Sequence, residues 1–377
     1  MQAAEKFIPI EPRSAPASTK GISAWVRSNL FSSVTNSILT VLLAALAIYS
    51  IFNILNWGVF QADFIGETRD DCRYEDGTAH PGACWVYVGA KLHQFLFGLY
   101  PSEEYWRVIL SFLLFIGGIA WLVIERVPYK KYMAIFMLVG LPIVVYFLMA
   151  GGVFGLPEVE STQWGGLALT LIIAVVGMVG ALPLGVLLAL GRRSNMPIVR
   201  SVCVIFIEFW RGVPLITVLF MSSVMLPLFF PVEGGGDSIP KLLRALIGVM
   251  LFQSAYMAEV VRGGLQTIPK GQYEAADAMG LNYLKKTRLI ILPQALKLVI
   301  PGIVNTFIAL FKDTTLVLII GMFDLLGAVD LTLKDPNWVG YSTEGYIFTA
   351  SIFWMFCFAM SRYSHSLEIK LDTGHRN

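Results

Sequence analysis

The chain has 377 residues, of which 56% are hydrophobic and only 14% charged, and its mean hydropathy is +0.67. Composition this apolar excludes a soluble domain of that length, so the solvent for much of the chain is a bilayer. A formal net charge of +2, carried by basic residues scattered between apolar runs, also argues against a nucleic-acid partner.

The opening stretch, up to about residue 30, is polar and contains Pro9, Pro12 and Pro16. It is too long a lead for a cleaved secretory signal and is read as a cytoplasmic tail ahead of a retained anchor. Beyond it, a spanning helix needs roughly 20 apolar residues, each rising about 1.5 Å. Segments of that kind run approximately over 34–55, 106–124, 133–150, 165–190, 198–230, 242–261, 296–322 and 346–360. Lipid offers no partner for unpaired backbone groups, so every one of them must be helical. The expected fold class is an all-α polytopic membrane protein with about eight transmembrane helices.

Lysine and arginine set the orientation. Lys6, Arg13, Lys20 and Arg27 precede the first span, Arg126, Lys130 and Lys131 lie between the second and third, and Arg192, Arg193 and Arg200 follow the fourth. Arg262, Lys270, Lys285, Lys286 and Arg288 follow the sixth, and Arg362, Lys370 and Arg376 come last. The alternate loops hold Asp63, Glu67, Asp70, Asp71, Glu75 and Asp76, then Glu158 and Glu160, then Glu233 and Asp237. The positive-inside bias therefore places both termini in the cytoplasm.

That orientation leaves Cys72 and Cys84 outside, where an oxidising periplasm favours a disulfide. Closing a loop of about 13 residues would stabilise by about 3 kcal/mol. The other cysteines, Cys203 and Cys357, lie inside apolar runs. Near residue 160, Gly155, Pro157, Glu158, Glu160 and Ser161 interrupt the pattern. They divide the chain into 1–163, with three spans and the Cys-bracketed loop, and 164–377, with five. There is no internal repeat of the kind common in secondary transporters.

The segment between the sixth and seventh spans reads RGGLQTIPKGQYEAADAMGLNYLKKTRLIILPQ from Arg262. Pro269 suits the first turn of a helix, Gln272 to Met279 are helix formers, and Gly280 suits a left-handed cap. A second helix is expected to start at Asn282, with Pro293 stopping or kinking it. In the short helix Tyr273 and Ala276, with Met279 or equally Leu281, turn one way, while Gln272, Glu274 and Asp277 turn another. A helix this short is marginal alone and needs a protein surface to dock on.

Glu274, Ala275, Ala276, Gly280, Ile290, Leu292 and Pro293 resemble, at matching spacing, the EAA loop of permeases from ATP-binding cassette (ABC) importers. The resemblance implies that Tyr273, Glu274, Ala275, Ala276, Met279 and Gly280 form a coupling helix seated in a groove of a separate ATPase subunit. EFWRGVPL from Glu208, AYMAEVVRGGLQTIPKGQYEAA from Ala255 and FKDTTL from Phe311 resemble the branch that imports polar amino acids and opines. That match covers about Gly165 to Arg362 and implies a type I importer core of five helices. The three added spans, with NWGVF from Asn56 and the Cys-bracketed loop, resemble the enlarged permease subunits of general L-amino acid systems. The resemblance further implies a bacterial inner-membrane location, a second permease subunit of different sequence, two ATPase subunits that bind ATP and Mg, and a periplasmic amino-acid-binding protein.

Charges inside spans are costly unless they are buried in protein or water, which makes each a site candidate. Lys312 and Asp313 lie about 22 Å into the seventh span. Together with the hydroxyls of Thr314 and Thr315 they offer a cation for a substrate carboxylate and an anion for its ammonium group. Neighbours on a helix point about 100° apart, so an unwound turn or separate packing partners are alternatives. Arg211, beside Gly212 and Pro214 in a span expected to kink, is a second candidate, with Glu208 one turn back as its local partner. Gln253, Ser254, Tyr256 and Glu259 make the sixth span polar, with Ser254 placed near a pocket and Glu259 as a gate or packing group. Trp57 and Trp106 read as interfacial anchors.

No phosphate-loop pattern G-x-x-x-x-G-K-[ST] and no H-E-x-x-H occurs, and His80, His93, His365 and His375 are scattered. No metal, no cofactor and no catalytic residue is expected in this chain, so energy must come from another polypeptide. The alternatives are a secondary amino acid transporter driven by an ion gradient and a non-transporting membrane scaffold.

Overall fold

Helices form where the apolar runs are long, and their ends fall where the sequence supplies a cap or a proline. The computed structural model of the chain describes residues 21–74, 77–124, 126–153, 155–229 and 239–371. The expectations resting on Lys6, Arg13, Lys20, Glu75, Asp76, Phe230, Glu233, Asp237, His375 and Arg376 lie outside these residues.

Among the described residues there are only isolated β-bridges beside the helices. In chain order the helices used below are α1 (Ile22–Asn29), α2 (Val34–Leu55), α3 (Trp85–Phe97), α4 (Tyr105–Val123), α5 (Lys130–Ala150), α6 (Gly166–Arg192) and α7 (Pro197–Gly212). They continue with α8 (Leu215–Val224), α9 (Lys241–Thr267), α10 (Lys270–Ala278), α11 (Ile300–Asp313), α12 (Leu325–Thr332) and α13 (Ser342–Leu371). Among the described residues seven helices are long and apolar enough to cross a membrane, or eight when α7 and α8 count as one bent span. The fold is all-α and polytopic.

Two expected spans are broken. Between α7 and α8 the axis turns by 104°, because Val213, ahead of Pro214, is extended (φ −104°, ψ 133°) as a residue before proline prefers. The seventh span begins later than the expected 296, since Val299 leaves the helical region and Pro301 opens α11. After Asp313 it tightens into 3-10 turns over Thr314–Ile320, closed by Gly321 at φ 72°.

The contacts group the chain into two units, Met1–Gly66 with Asp70–Val86, and Glu67–Arg69 with Tyr87–Asn377. In the first unit α2 starts at Ser33, whose hydroxyl accepts the Asn36 N–H (3.2 Å), and none of its residues is buried. The loop that follows is pinned several times over. Cys72 and Cys84 form a disulfide, His80 Nδ1 meets Asp63 Oδ2 at 2.7 Å, and the Trp85 indole donates to the Gly58 carbonyl (2.8 Å). Replacing both cysteines by serine is expected to destabilise this unit by about 3 kcal/mol, read as a lower thermal midpoint. An intact mass that does not change on reduction would contradict the bond.

In the second unit α6 and α9 pack along their lengths and form its centre, with α8, α11 and α13 around them. Small residues allow the approach: a Cβ on Gly185 would lie 2.6 Å from the Met257 Cβ, and one on Gly264 2.6 Å from the Ala295 carbonyl. We call the end that carries the 262–294 loop the basic end and the other the acidic end. At the acidic end a short amphipathic helix, α3, was not expected from the sequence. Tyr87 stacks near Trp338 and Tyr341 (5.5 and 6.3 Å between centroids), its hydroxyl meets that of Thr332 (2.5 Å), and Lys91 pairs with Asp335 at 2.8 Å. Backbones cross where Gly98 (φ 67°) lies against Gly165, a contact with no room for a side chain.

Asp324 caps α12 beside this crossing, accepting the Gly327 N–H at 3.0 Å. Burial pushes its carboxyl from 3.8 up to about 6, against the pull of the Gly327 and Leu326 amides. A folded value above the unfolded one means that Asp324 favours folding below about pH 4, a contribution lost as pH rises through about 6. Stability is expected to fall by on the order of 2–3 kcal/mol across that window. Asp324→Asn keeps the cap acceptor and should flatten the slope of thermal midpoint against pH. An unchanged slope in that variant would assign the titration to another group.

Candidate coupling helix and pathway charges

The 262–294 loop is built as two stiff pieces with a rigid joint. Pro269, extended at ψ 142°, opens α10. Gly280 at φ 70° closes it: its N–H donates to the Asp277 carbonyl (2.9 Å) and the Leu281 N–H to that of Ala276 (3.2 Å), the paired bonds of a Schellman ending. Two residues on, the Asn282 side chain accepts the Lys285 N–H (2.9 Å) and starts the turn Tyr283–Lys286. A π-helical turn over Thr287–Ile291 then leads to Pro293 in the first turn of Leu292–Leu298.

This piece is mounted on the membrane helices. Ala276 is fully buried and Tyr273 half-buried. The Tyr273 hydroxyl donates to the Leu265 carbonyl of α9 (3.3 Å), and the Arg193 guanidinium lies over its ring (5.8 Å) while donating to the same carbonyl. Lys286 pairs with Asp277 at 2.6 Å, and Gln294 donates to Gln272 at 3.2 Å. Met279 is 65% exposed and does not share the buried face. The left-handed turn at Gly280 swings Leu281 back toward Ala276 instead, so of the two apolar alternatives Leu281 takes the inner position. Glu274, Ala275 and Met279 remain on the outward surface.

Immediately above sits a charge cluster that the sequence did not reveal as one group. Arg192, at the end of α6, donates to Glu208 Oε1 of α7 (2.8 Å) and to Glu259 Oε1 of α9 (2.9 Å). Arg262 donates twice to Glu259 Oε2 (2.9 and 2.6 Å), and Arg211 stands 3.8 Å from the same oxygen and over the Tyr256 ring (5.6 Å). The within-helix pair expected between Glu208 and Arg211 is replaced by these contacts, because Arg192 reaches Glu208 from the neighbouring helix. The Glu259 side chain is only 15% exposed and serves three guanidiniums. Arg192 and Arg193 are successive residues, so the cluster and the mount of α10 share one short stretch of backbone.

The remaining candidates lie elsewhere in the unit. Lys312 is exposed and Asp313 half-buried at the end of α11. Among the described residues no ion pair joins either of them to another side chain. Thr314 is fully buried and donates to the Phe311 carbonyl (2.8 Å), while Thr315 donates to that of Lys312 (2.9 Å). Ser254 is also fully buried, its hydroxyl returned to Leu251 (2.7 Å), and Gln253 ties α9 to α11 through the Thr306 carbonyl (2.8 Å). In this conformation the hydroxyl protons of Ser254 and Thr314 are both committed to helix carbonyls. No described hydrogen bond or ion pair links Arg211, Ser254 and the Lys312–Asp313 pair. Among the described residues no group of three His, Cys, Asp or Glu side chains could hold a metal ion.

Seven or eight spans among the described residues, a stiff helix presented from the loop between two of them, and charges at the tightened end of a span that form no ion pair among those residues suit a membrane transport subunit. A family model described as the binding-protein-dependent transport system inner membrane component matches residues 181–371. The chain is 57% identical, over 96% of both chains, to the inner membrane amino-acid ABC transporter permease protein YhdY of Escherichia coli. It is 41% identical, over 97% of this chain and 98% of the relative, to the glutamate/glutamine/aspartate/asparagine transport system permease protein BztC of Rhodobacter capsulatus. The L-cystine transport system permease protein TcyB of Bacillus subtilis is 31% identical, but over 57% of this chain and 90% of its own. The chain belongs to the family of binding-protein-dependent transport system inner membrane components.

Proposed function

We propose that this subunit forms one side of the pathway of an ABC importer for L-amino acids in a bacterial inner membrane, with both termini in the cytoplasm. A second permease subunit of different sequence lines the other side, and two ATPase subunits that bind ATP and Mg dock on α10. A periplasmic solute-binding protein delivers the substrate to the acidic end. The observation that carries the reading is the mounting of α10: Tyr273 and Ala276 hold it on α9 while Glu274, Ala275 and Met279 stay free to meet a partner. A push on that face reaches Leu265 and Arg193, and from there the Glu259 cluster where α6, α7 and α9 meet. Such a junction is where two arrangements of the helices exchange as access alternates.

Residues 164–377 constitute the transport core, and 1–163 are an addition to it. Similarity to the compact relative, which spans 57% of this chain, supports that division. Lys312 and Asp313, in no ion pair among the described residues, hold the carboxylate and ammonium of the substrate, with Arg211 as a second cation nearer the gate. Ser254 and Thr314 come into play only if their hydroxyls turn from the helix carbonyls.

The reading is tested by uptake of a labelled L-amino acid mixture into cells carrying Lys312→Met or Asp313→Asn. Each is expected to lower uptake about tenfold or more, the loss of one charge-assisted contact, with the amount of chain in the membrane unchanged. Full uptake by the double variant would reduce the pair to a packing feature. Uptake that survives ATP depletion but collapses with an uncoupler would favour a secondary transporter.

A further inference from the structure

Two cavities of the second unit share a wall. One, of about 310 Å³, lies between α4, α5, α6 and α9 and is lined almost wholly by apolar side chains. The other, of about 870 Å³, lies at the acidic end and is lined by Lys241 and Arg244 of α9 together with Glu158, Glu160, Ser161 and Thr162, the Arg244 guanidinium being turned to the Ser223 carbonyl. Tyr146, Phe147, Trp164, Leu242 and Leu246 line both, so the two adjoin and are taken together as an amphipathic recess with an apolar and a polar arm. Ile143 and Phe147, 52% and 45% exposed, stand on the rim of the apolar arm. What meets that rim at the depth of a spanning helix is hydrocarbon.

We propose that the recess holds one zwitterionic aminophospholipid, with an acyl chain in the apolar arm, its phosphate against Lys241 and its ammonium group against the Glu158–Glu160 rim. Left dry, the apolar arm would deprive its lining of dispersion contacts, and the surrounding bilayer supplies a chain to fill it. The polar arm selects the headgroup. A cation and two carboxylates from separate segments suit a headgroup of both signs, whereas a purely anionic headgroup would meet repulsion from Glu158 and Glu160. A free amino acid would satisfy the polar arm alone and leave the apolar arm beside it empty, which is why the adjacency of the two arms decides for lipid. The bound lipid would cement α4 and α5, from the added region, to α6 and α9. The inference rests on the chain spanning a bilayer and is independent of what the subunit transports.

Native mass spectrometry of the full chain, purified with whatever subunits accompany it and mixed with equal amounts of phosphatidylethanolamine and phosphatidylglycerol, tests this. One phosphatidylethanolamine should be retained in preference. Lys241→Gln should weaken its retention about tenfold, Val176→Phe, which fills the apolar arm, should do the same, and Glu160→Lys should shift preference toward phosphatidylglycerol. The two charge variants change exposed or half-exposed positions and carry the test should Val176→Phe fail to fold. Equal retention by wild type and Lys241→Gln, or displacement of the lipid by free L-amino acids, would overturn the proposal.

Discussion

Glu274→Arg is expected to leave the subunit folded and inserted while solute uptake falls to background. Glu274 is exposed on α10, and no side-chain hydrogen bond or ion pair among the described residues ties it to the helices below. Tyr273, Ala276, Asp277 and Gln272 do that work, so the charge reversal should change stability by no more than about 0.5 kcal/mol. What the reversal alters is the outward face, the one the proposed docking uses, where a carboxylate flanked by Ala275 and Met279 becomes a guanidinium. Repulsion at a matched interface outweighs the gain of any new contact. Uptake in membrane vesicles, measured together with ATP hydrolysis and the amount of chain inserted, separates the outcomes. Lost uptake with normal insertion and hydrolysis no longer tied to solute is the expected result, and normal uptake counts against α10 as the coupling element.

A second large effect is expected from Glu259→Gln, which keeps the side-chain shape but removes the charge. Arg192, Arg262 and Arg211 would then share one neutral amide where α6, α7 and α9 meet. Removing one partner from a largely buried ionic group costs about 3 kcal/mol; Arg192 keeps Glu208, but Arg262 and Arg211 lose their carboxylate. The Glu259 side chain is 15% exposed, so water relieves a little of this. The thermal midpoint of the purified protein should fall well below that of the wild type, and uptake should fall with it. Glu259→Asp, which keeps the charge but shortens the reach to Arg262, is expected to lie between the two. A Gln variant as stable and active as the wild type would make the cluster dispensable.

The spans were legible because a helix in lipid must satisfy its own backbone, which leaves length and apolarity as sufficient signals. Helix α10 and the turn after it were legible to their joint: Pro269, Gly280 and Asn282 each do what their local chemistry dictates. Met279 was not, since its direction depends on the left-handed turn that follows it and not on the helical period alone. The Glu259 cluster escaped because it joins residues 192, 208, 211, 259 and 262 across three helices. Sequence spacing reports only neighbours on one helix, hence the mistaken Glu208–Arg211 pair. Helix α3 was hidden for a different reason: at 13 residues it is too short to read as a span, and its aromatic side chains find their partners far along the chain, in Trp338, Tyr341 and Phe348, as well as in nearby Tyr105. The substrate candidates Ser254 and Thr314 were chosen by residue type, yet a hydroxyl within a helix is readily satisfied by a carbonyl one turn back.

The most direct measurement of the central claim is uptake into proteoliposomes containing this permease with its co-purifying partners, compared with the permease after the nucleotide-hydrolysing subunits have been stripped away. Accumulation of an L-amino acid that needs both those subunits and ATP, and that returns when they are added back to wild type but not to Glu274→Arg, is the predicted result. Accumulation by the stripped permease alone would contradict a lever that works only by pressing on a separate motor.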